Sequence, residues 1–531
     1  MEKLYYNGDI ITMEQENGYA EGVLVSDGRI RKVGTLKELE PYVTPKTERI
    51  DLNGSTLMPA FIDSHSHITA FAGTMGAANL GAAGSFEEII DIMNRYIVQE
   101  KAQDREFIIG FGYDQNNLTE GKHPAKDILD RCNTDKPMII VHASGHMGVV
   151  NSKALSILNI DRDTADPAGG VIGRYKGTGE PDGYLEERAF MQYTKAIPVK
   201  SPEDMMRDLK KAQQIYLSYG ITTVQDGLTG EREYGFLEKA AEEGVLLVDV
   251  VGYIDLNKAE QLTERGGRYM KEYSGHFKLG GYKIFLDGSP QGLTAWLSRP
   301  YEGRNDGYCG YPVYDDEEVK RFIETAKSRS MQLLVHCTGD AACEQLIRSY
   351  NSPAADRPVM IHAQTVREDQ LVRMKELGII PSFFIAHTYY WGDIHRKNLG
   401  EERAAGISPA KTAVRLSMPY TLHQDTPVIL PDMLETVWCA VNRRTRSGHV
   451  LGAGQRIPVY EALKAVTINA AYQYFEEDRK GSLKEGKLAD LVILSGNPLK
   501  TDPLRLKEIK VLETIKEGVT LYEDTKTPDS N

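Results

Sequence analysis

The sequence predicts an α/β protein: a (β/α)8 TIM barrel, a small β-sandwich domain formed by both termini, and a subdomain inserted after the first barrel strand. Short apolar runs alternate with helical patterns through the middle of the chain, which is typical of parallel strands. Both ends are instead rich in short strands and turns. We therefore expect the sandwich at residues 1–57 and 481–531, the barrel at 58–480, and the insertion at about 70–205.

The two ends have similar composition and patterning. The N-terminal segments KLYYNGDIITM and GVLVSDGRIRKVG alternate apolar and polar residues, and Asp27-Gly28 is typical of a hairpin turn. The C-terminal segments KLADLVILSG and KVLETIKEGVTLY have the same character. This likeness predicts that the termini meet in one small sheet domain.

Eight short apolar runs are candidates for the barrel strands. They are residues 55–63, 220–227, 245–254, 279–288, 331–337, 357–363, 378–384 and 418–425. Helical patterns fit between several of them; PEDMMRDLKKAQQIYLSYG precedes the second and DDEEVKRFIETAKSRS precedes the fifth. The stretch between the first and second strands is too long for a barrel loop and contains apolar runs of its own, so we expect a lid or substrate platform there.

Composition narrows the class of partner and the compartment. The chain has 63 basic and 76 acidic residues among 531, a net charge of −13, which disfavours nucleic acid or an anionic membrane as a partner. The five cysteines show no CxxC spacing, so neither a zinc ribbon nor a disulfide framework is expected. The N-terminus lacks the pattern of a secretory signal, and no run approaches 18 apolar residues. A cytoplasmic location is the default expectation.

The segment Phe61-Ile-Asp-Ser-His-Ser-His67 is the strongest local signal. Histidines at i and i+2 on a strand point to the same face, so the imidazoles of His65 and His67 can reach one metal ion. The alternative is two unrelated histidines at a strand end. At the end of the first strand of a barrel, the metal interpretation is favoured.

Three further polar residues close later strands. His336 and His362 end apolar runs at the face where catalytic residues of TIM barrels gather, although a lone histidine there is often a satisfied core residue. Asp425 closes YTLHQDTP and offers a carboxylate at the same level; its alternative role is a turn or N-cap residue.

The ordered motifs resemble the amidohydrolase superfamily, in the branch that contains the N-substituted formamide deformylases. The resemblance extends from about residue 25 to 495, in the segments MPAFIDSHSH, GHMGVVNSKAL, GITTVQDG, KIFLDGSPQGLTA, VHCTGDAA, IHAQ, HQDTPV and GKLADLVIL. It implies a hydrolase of C–N bonds with two divalent metal ions, zinc being the expected metal. It also makes a homodimer plausible.

The resemblance assigns roles to six residues. His65 and His67 would bind the more buried ion, His336 and His362 the other, Asp425 would complete the site, and Lys283 would be carboxylated and bridge both ions. An unmodified ammonium would be repelled by two dications, whereas a carbamate is anionic and offers two oxygens; the alternative is an unmodified Lys283 paired with a carboxylate. This chain departs from many relatives in reading His423-Gln424-Asp425 where they have Gly-Ser-Asp, so the pocket beside Asp425 is expected to differ.

The mechanism implied is attack by metal-activated hydroxide on a carbonyl, with Asp425 as general acid and base. No GxSxG elbow competes with this mechanism. Candidate substrate-binding residues are His146, Tyr113, Asp114, Tyr390 and Trp391; the alternatives are a turn cap for His146 and packing for the aromatic residues. Arg443 and Arg444 are candidates for anchoring a substrate carboxylate, although paired arginines in a helix usually face solvent.

Three functions remain in competition at this point. The leading one is hydrolysis of a linear amide, N-formyl or N-acyl amine of a small molecule. A deaminase or cyclic-amide hydrolase on the same scaffold is second; deaminases of this superfamily generally use one metal with a glutamate–histidine pair, and no HxxE pattern follows His336. A catalytically silent binding or regulatory protein is third, and the presence of all six candidate ligands disfavours it. The sequence leaves open the substrate, the metal and its stoichiometry, the carboxylation of Lys283 and the oligomeric state.

Overall fold

The computed structural model describes residues 2–525, except 17, 19, 103, 104, 133, 134, 144, 146, 168 and 197–199. The chain divides into two compact units. The first contains Met1–Thr69, Ala212–Thr426 and Pro431–Asn531, and the second contains Ala70–Lys211 with Pro427–Leu430.

Eight parallel strands form the largest sheet, which lies in the first unit. In spatial order they are β7 (Phe61–Ile62), β14 (Ile221–Thr229), β15 (Asp249–Asp255), β16 (Phe277–Phe285), β17 (Gln332–Cys337), β18 (Val359–His362), β19 (Ile380–Phe383) and β20 (Thr421–Leu422). The sheet curls, because the segments after its two edge strands hydrogen-bond to each other: His67 N donates to Thr426 O at 2.8 Å, and Asp425 N donates to His65 O at 3.2 Å. This curled parallel sheet, with helices between its strands, is the α/β arrangement that the sequence predicts.

The helices between the barrel strands begin with local signals in the sequence. Before β17, the helix Asp316–Ser328 starts at a capping box in which Asp315 accepts from Glu318 N and Glu318 accepts from Asp315 N. Before β14, Gly220 takes a φ of +79°, and a Cβ there would lie 2.9 Å from Val492 and 3.0 Å from Phe61. Glycine therefore permits the tight turn from helix to strand.

Helices separate the barrel strands and also occur in the second unit. Among the described residues they are, in chain order, α1 (Leu36–Leu39), α2 (Ile68–Thr74), α3 (Phe86–Gln99), α4 (Lys126–Leu129), α5 (Ser152–Ile157), α6 (Arg188–Tyr193), α7 (Pro202–Ser218), α8 (Glu231–Glu242), α9 (Leu262–Arg265), α10 (Asp316–Ser328), α11 (Asp340–Ser349), α12 (Glu368–Leu377), α13 (His387–Tyr390), α14 (Gly392–Leu399), α15 (Glu401–Ala405), α16 (Ala410–Arg415), α17 (Met433–Asn442), α18 (Val459–Ala465) and α19 (Ile468–Gln473). None of these helices is long and apolar enough to cross a membrane.

The chain ends form two smaller sheets in the first unit. The four-stranded sheet contains β4 (Arg29–Gly34), β3 (Gly22–Ser26), β1 (Glu2–Tyr6) and β5 (Glu48–Asp51), in that order. The five-stranded sheet joins both termini, in the order β2 (Asp9–Ile10), β6 (Thr56–Pro59), β21 (Leu491–Leu494), β22 (Val511–Lys516) and β23 (Val519–Glu523). One buried cluster includes Val23, Leu57, Leu491 and Ile515 from these sheets. The two ends of the chain thus pack together, while the sandwich geometry in detail stays a prediction.

The first predicted strand, residues 55–63, is divided between two sheets. Residues Thr56–Pro59 pair with β21 in the terminal sheet, and only Phe61–Ile62 joins the barrel. The switch occurs at Ala60, whose N–H donates to Asp490 O, while Phe61 N donates to Gly220 O. A single apolar run therefore serves two sheets.

The second unit has its own six-stranded sheet. Its order is β12 (Gly170–Arg174), β13 (Pro181–Glu187), β11 (Met147–Val150), β10 (Met138–His142), β9 (Ile108–Tyr113) and β8 (Ala78–Asn79). Two buried apolar clusters lie within the unit, one of them around Met93 and Ile140. The predicted insertion at about 70–205 falls in this unit, and its role as a lid or platform stays a prediction.

Candidate metal centre

Six residues from the C-terminal ends of the barrel strands come together in the first unit. Lys283 lies in β16 and His336 in β17, His362 ends β18, and His65, His67 and Asp425 follow β7 and β20. His65 and His67 lie just after their strand rather than within it, and the backbone at His67 bridges to Asp226 of β14. The C-terminal ends of parallel strands meet at one rim, which explains why residues far apart in sequence converge.

Asp425 is the centre of this group. Its Oδ1 atom lies 3.5 Å from Nε2 of His65 and 3.4 Å from Nε2 of His67, and its Oδ2 atom lies 3.9 Å from Nε2 of His362. The Nζ atom of Lys283 lies 3.3 Å from the same Nε2 of His65. Ligand atoms of His65, His362 and Asp425 all lie within 4.8 Å of one another.

The Oδ1 atom of Asp425 indicates whether these residues fit a metal ion. Asp425 Oδ1 is buried and has no hydrogen-bond partner among the described residues. A buried carboxylate oxygen without a partner is costly, and imidazole nitrogens with carboxylate oxygens are ligands that Zn²⁺ accepts. The donor set therefore fits a divalent cation bound between these side chains.

The hydrogen bonds behind two histidines fix which nitrogen is free. Gln225 donates from Nε2 to Ser64 O and Tyr474 Oη, so its Oε1 must accept from Nδ1–H of His65, 2.6 Å away. Nε2 of His336 lies 3.1 Å from the carbonyl of Gly288, which can only accept. His65 therefore presents Nε2 as an acceptor, and His336 presents Nδ1.

The surroundings of the candidate ligands favour the protonation states that bind metal. Burial lowers the pKa of Lys283 to about 7 and that of His336 to about 4, and it holds the pKa of His362 well below its usual value. Burial alone would raise the pKa of Asp425, but the adjacent His67 and the nearby charges of His423 and Lys283 lower it overall. Neutral imidazoles and an ionised carboxylate are the forms that bind metal, and a neutral amine is the form that reacts with CO₂.

The backbone is strained at two of these positions. His362 has a φ of 71° and Asp425 a φ of 55°, in the left-handed region that non-glycine residues seldom occupy. Such conformations cluster at functional sites, where the surrounding structure holds them in place. Both ligand candidates are thus held in a particular direction by the fold.

Sequence reasoning did not predict that His423 lies beside His362. His423 is fully buried, with Nε2 at 3.2 Å from Nδ1 of His362 and Nδ1 at 2.8 Å from Oγ of Ser382. The only signal in the sequence is its position two residues before Asp425, which would place both on one face of an extended segment. Gln225 was missed as well, because nothing in GITTVQDG marks it as a partner of His65.

Two of the predicted substrate-binding residues, Tyr390 and Trp391, belong to an aromatic cluster near the candidate centre. The ring of Phe384 is 5.3 Å from that of His423 and 5.9 Å from that of Trp391. Trp391 is buried, and Tyr390 donates its hydroxyl to Glu435 at 2.8 Å. The role of Tyr390 and Trp391 in substrate binding stays a prediction.

The remaining predicted substrate-binding residues belong to the second unit. Tyr113 is fully buried there and its hydroxyl lies 3.1 Å from Nδ1 of His123. Asp114 is buried and accepts from the backbone and side chain of Asn116. His146 lies outside the described residues.

The chain matches a known protein family and is similar to several known proteins. A family model described as "Amidohydrolase family" matches residues 48–522. The putative amidohydrolase YtcJ of Bacillus subtilis (strain 168) is 30% identical over an alignment that covers 98% of this chain and 100% of that protein. The N-substituted formamide deformylase of Arthrobacter pascens is 27% identical, with 98% of each chain covered.

Solved structures show the same similarity. An uncharacterized metal-dependent hydrolase from Pyrococcus horikoshii OT3 superimposes with a TM-score of 0.76 at 27% identity, covering 95% of this chain and 99% of the other. The likeness thus extends over the barrel, the second unit and the terminal sheets.

Proposed function

This chain belongs to the amidohydrolase family and is a metal-dependent hydrolase, and on that premise we propose that it hydrolyses a linear amide, N-formyl or N-acyl amine of a small molecule. The observation that carries the proposal is the unpartnered Oδ1 of Asp425, which faces Nε2 of both His65 and His67. A buried carboxylate in that position is suited both to a metal ion and to proton transfer. The similarity to the N-substituted formamide deformylase supports the choice of an amide-type bond.

The metal ligands in this proposal are those of the barrel rim. His65 and His67 would hold one zinc ion, His336 and His362 would hold the other, and a carboxylated Lys283 would complete the ligand set. When bound, the ions lower the pKa of water towards neutrality and polarise the scissile carbonyl. The nitrogens that Gln225 and Gly288 leave free on His65 and His336 suit this assignment.

Asp425 moves the proton in the reaction. It accepts a proton from the attacking water as the new C–O bond forms, and it delivers that proton to the leaving nitrogen as the C–N bond breaks. The products are a carboxylic acid and an amine, so atoms and charge balance without a further reactant.

Metal content per chain tests the proposal. We expect near two zinc ions in the wild-type protein purified without chelator, and a clear loss in Lys283→Ala, measured by elemental analysis. Lys239→Ala is the control, because Lys239 is exposed on α8 and ion-pairs with Glu243. The same proteins are then assayed against N-formyl and N-acyl amines, and only the zinc-loaded wild type and control should be active.

The alternative functions give different results in this experiment. One ion per wild-type chain, with release of ammonia from an amino-substituted ring, would favour a deaminase. Opening of a cyclic amide with linear amides untouched would favour the cyclic-amide hydrolase. Absence of bound metal would contradict the proposal and favour a silent binding protein.

A further inference from the structure

His423 and Ser382 form a short hydrogen-bonded chain behind His362. The register of β19 and β20 brings them together, because Ser382 pairs with Thr421 and His423 N donates to Phe383 O at 3.1 Å. Nε2 of His423 is 3.2 Å from Nδ1 of His362, and its Nδ1 is 2.8 Å from Oγ of Ser382. Both ring nitrogens of His423 are therefore engaged within the protein, so it is not itself a free metal ligand.

Two arrangements of protons satisfy this chain. In the first, Nδ1–H of His362 donates to Nε2 of His423, and Nδ1–H of His423 donates to Ser382 Oγ. In the second, the Ser382 hydroxyl donates to His423, whose Nε2–H donates to His362, and the remaining proton of His362 lies on Nε2. Only the first leaves Nε2 of His362 with a lone pair directed towards Asp425.

We propose that His423 is a positioning residue that holds His362 in the tautomer protonated on Nδ1, with Ser382 as the acceptor that allows it to do so. This inference rests on the proposed role of His362 as a metal ligand. The rings of His423 and His362 also pack against each other, with centroids 5.2 Å apart and planes tilted by 58°. Outer partners of this kind commonly change metal affinity by about 10–100-fold when they are removed.

His65 also has a hydrogen-bond partner behind it, which is Gln225 instead of a histidine. Gln225 accepts from Nδ1–H of His65, and its own amide is held by Ser64 O and Tyr474 Oη. An amide that is fixed from behind can only accept towards His65. His423 lacks that built-in direction, because an imidazole can reverse its tautomer, and the first arrangement therefore requires the hydroxyl of Ser382 to act as an acceptor.

Three variants test the proposal. His423→Phe keeps a ring but has no acceptor, whereas His423→Gln places an amide oxygen near the position of Nε2. Ser382→Ala removes the acceptor for Nδ1–H of His423, which favours the Nε2–H form of His423 and so the wrong tautomer of His362. His395→Phe is the control, because His395 is also a fully buried histidine but pairs with His387.

Two measurements are made on each protein. Zinc affinity is measured by competition with a chromophoric chelator, and the tautomer of His362 is read from nitrogen chemical shifts in metal-free protein with ¹⁵N-labelled histidine. We expect zinc affinity to fall by about 10–100-fold in His423→Phe and to fall in Ser382→Ala. It should stay close to wild type in His423→Gln and in the control, and the Nδ1–H form of His362 should be lost only in His423→Phe and Ser382→Ala.

Several results would overturn the proposal. Wild-type affinity in both His423→Phe and Ser382→Ala would do so, and so would an equal loss in His423→Phe and His423→Gln, since ring shape would then matter and the acceptor would not. Thermal melting shows whether His423→Phe is folded, and Ser382→Ala carries the test if it is not. A wild-type protein that binds no zinc would instead contradict the proposed function itself.

Discussion

The carboxylate of Asp425 is placed both to bind a metal ion and to accept a proton. Its Oδ1 atom faces His65 and His67 at 3.5 and 3.4 Å, while the backbone at Asp425 is held at a positive φ of 55°. The fold thus directs an ionised oxygen into the candidate centre and leaves it without a hydrogen-bond donor among the described residues. That arrangement suits an atom that receives a proton from attacking water.

We expect Asp425→Asn to lower kcat/KM by about 10²–10⁴-fold, because an amide cannot accept and return the proton. The measurement is steady-state hydrolysis of an N-formyl or N-acyl amine that the wild type turns over, with zinc content determined on the same samples. Asp393→Asn is the control, since Asp393 is a half-exposed carboxylate that binds Ser447. Activity within a few-fold of wild type in the Asp425 variant would contradict the role of general acid and base.

The convergence of the inner candidate residues was predictable from sequence, while their role as metal ligands stays a prediction. His65, His67, His336, His362 and Asp425 follow apolar runs, and ends of parallel strands meet at one rim whatever the intervening sequence. Their outer partners carry no such signal. His423, Ser382 and Gln225 were missed because their roles depend on which atoms the strand register brings within hydrogen-bond distance.

At the scale of secondary structure, strands that lie wholly within the barrel sheet were predicted well. Runs such as residues 331–337 and 357–363 are buried on both faces, and the structure has β17 and β18 there. The run at 55–63 is equally apolar, yet it changes sheet at Ala60. Hydrophobic periodicity reports burial and not the identity of the neighbouring strand, so this switch had no signal in the sequence.

The C-terminus of α17 is a second place where the sequence did not predict the structure. Arg443 was a candidate for anchoring a substrate carboxylate, but the structure contradicts this role. The residue is fully buried, and its guanidinium donates to the carbonyls of Leu451, Ser408, Ala405 and Ile407. It joins the end of α17 to the segment after α15.

We therefore expect Arg443→Met to destabilise the protein without changing the zinc content. Each buried carbonyl left without a donor costs about 1–3 kcal/mol, so the total loss should reach at least about 3 kcal/mol. Denaturant unfolding measures it, with Arg232→Met, an exposed arginine, as the control. A loss below about 0.5 kcal/mol, the range of ordinary surface substitutions, would show that water replaces the guanidinium.

At the scale of the whole molecule, buried charges connect the barrel to the terminal sheet. Asp249 begins β15, and its Oδ2 atom lies 2.5 Å from Nζ of Lys480 and 2.9 Å from Nζ of Lys516 of β22. Lys516 also lies 3.3 Å from Asp490, which precedes β21. Asp249, His276 and Glu517 are close enough to suggest a second metal site, but the two ammonium groups already neutralise Asp249. This network is therefore structural.

Lys516→Met tests that conclusion. Removing one partner leaves Asp249 and Asp490 buried with less compensation, which costs about 3–5 kcal/mol in networks of this kind. Lys510→Met, an exposed lysine just before β22, should have little effect. Zinc content should be unchanged in both, because Asp249 starts its strand while the candidate centre lies at the opposite ends of the strands.

The difference in stability between wild type and Lys516→Met should also depend on pH. The neighbouring lysines hold the folded pKa of Asp249 well below its usual 3.8, so its contribution is present above pH 3.8 and is lost as pH falls through the folded value. Asp490 and Asp249 hold the pKa of Lys516 above its usual 10.5, so its contribution is present below pH 10.5 and is lost as pH rises through the folded value. Unfolding measured across this range should show a constant difference between pH 3.8 and 10.5 that shrinks at both extremes. Equal stability of wild type and Lys516→Met at neutral pH would instead mean that the network does not stabilise the fold, and the attachment of the terminal sheet to the barrel would then rest on apolar packing.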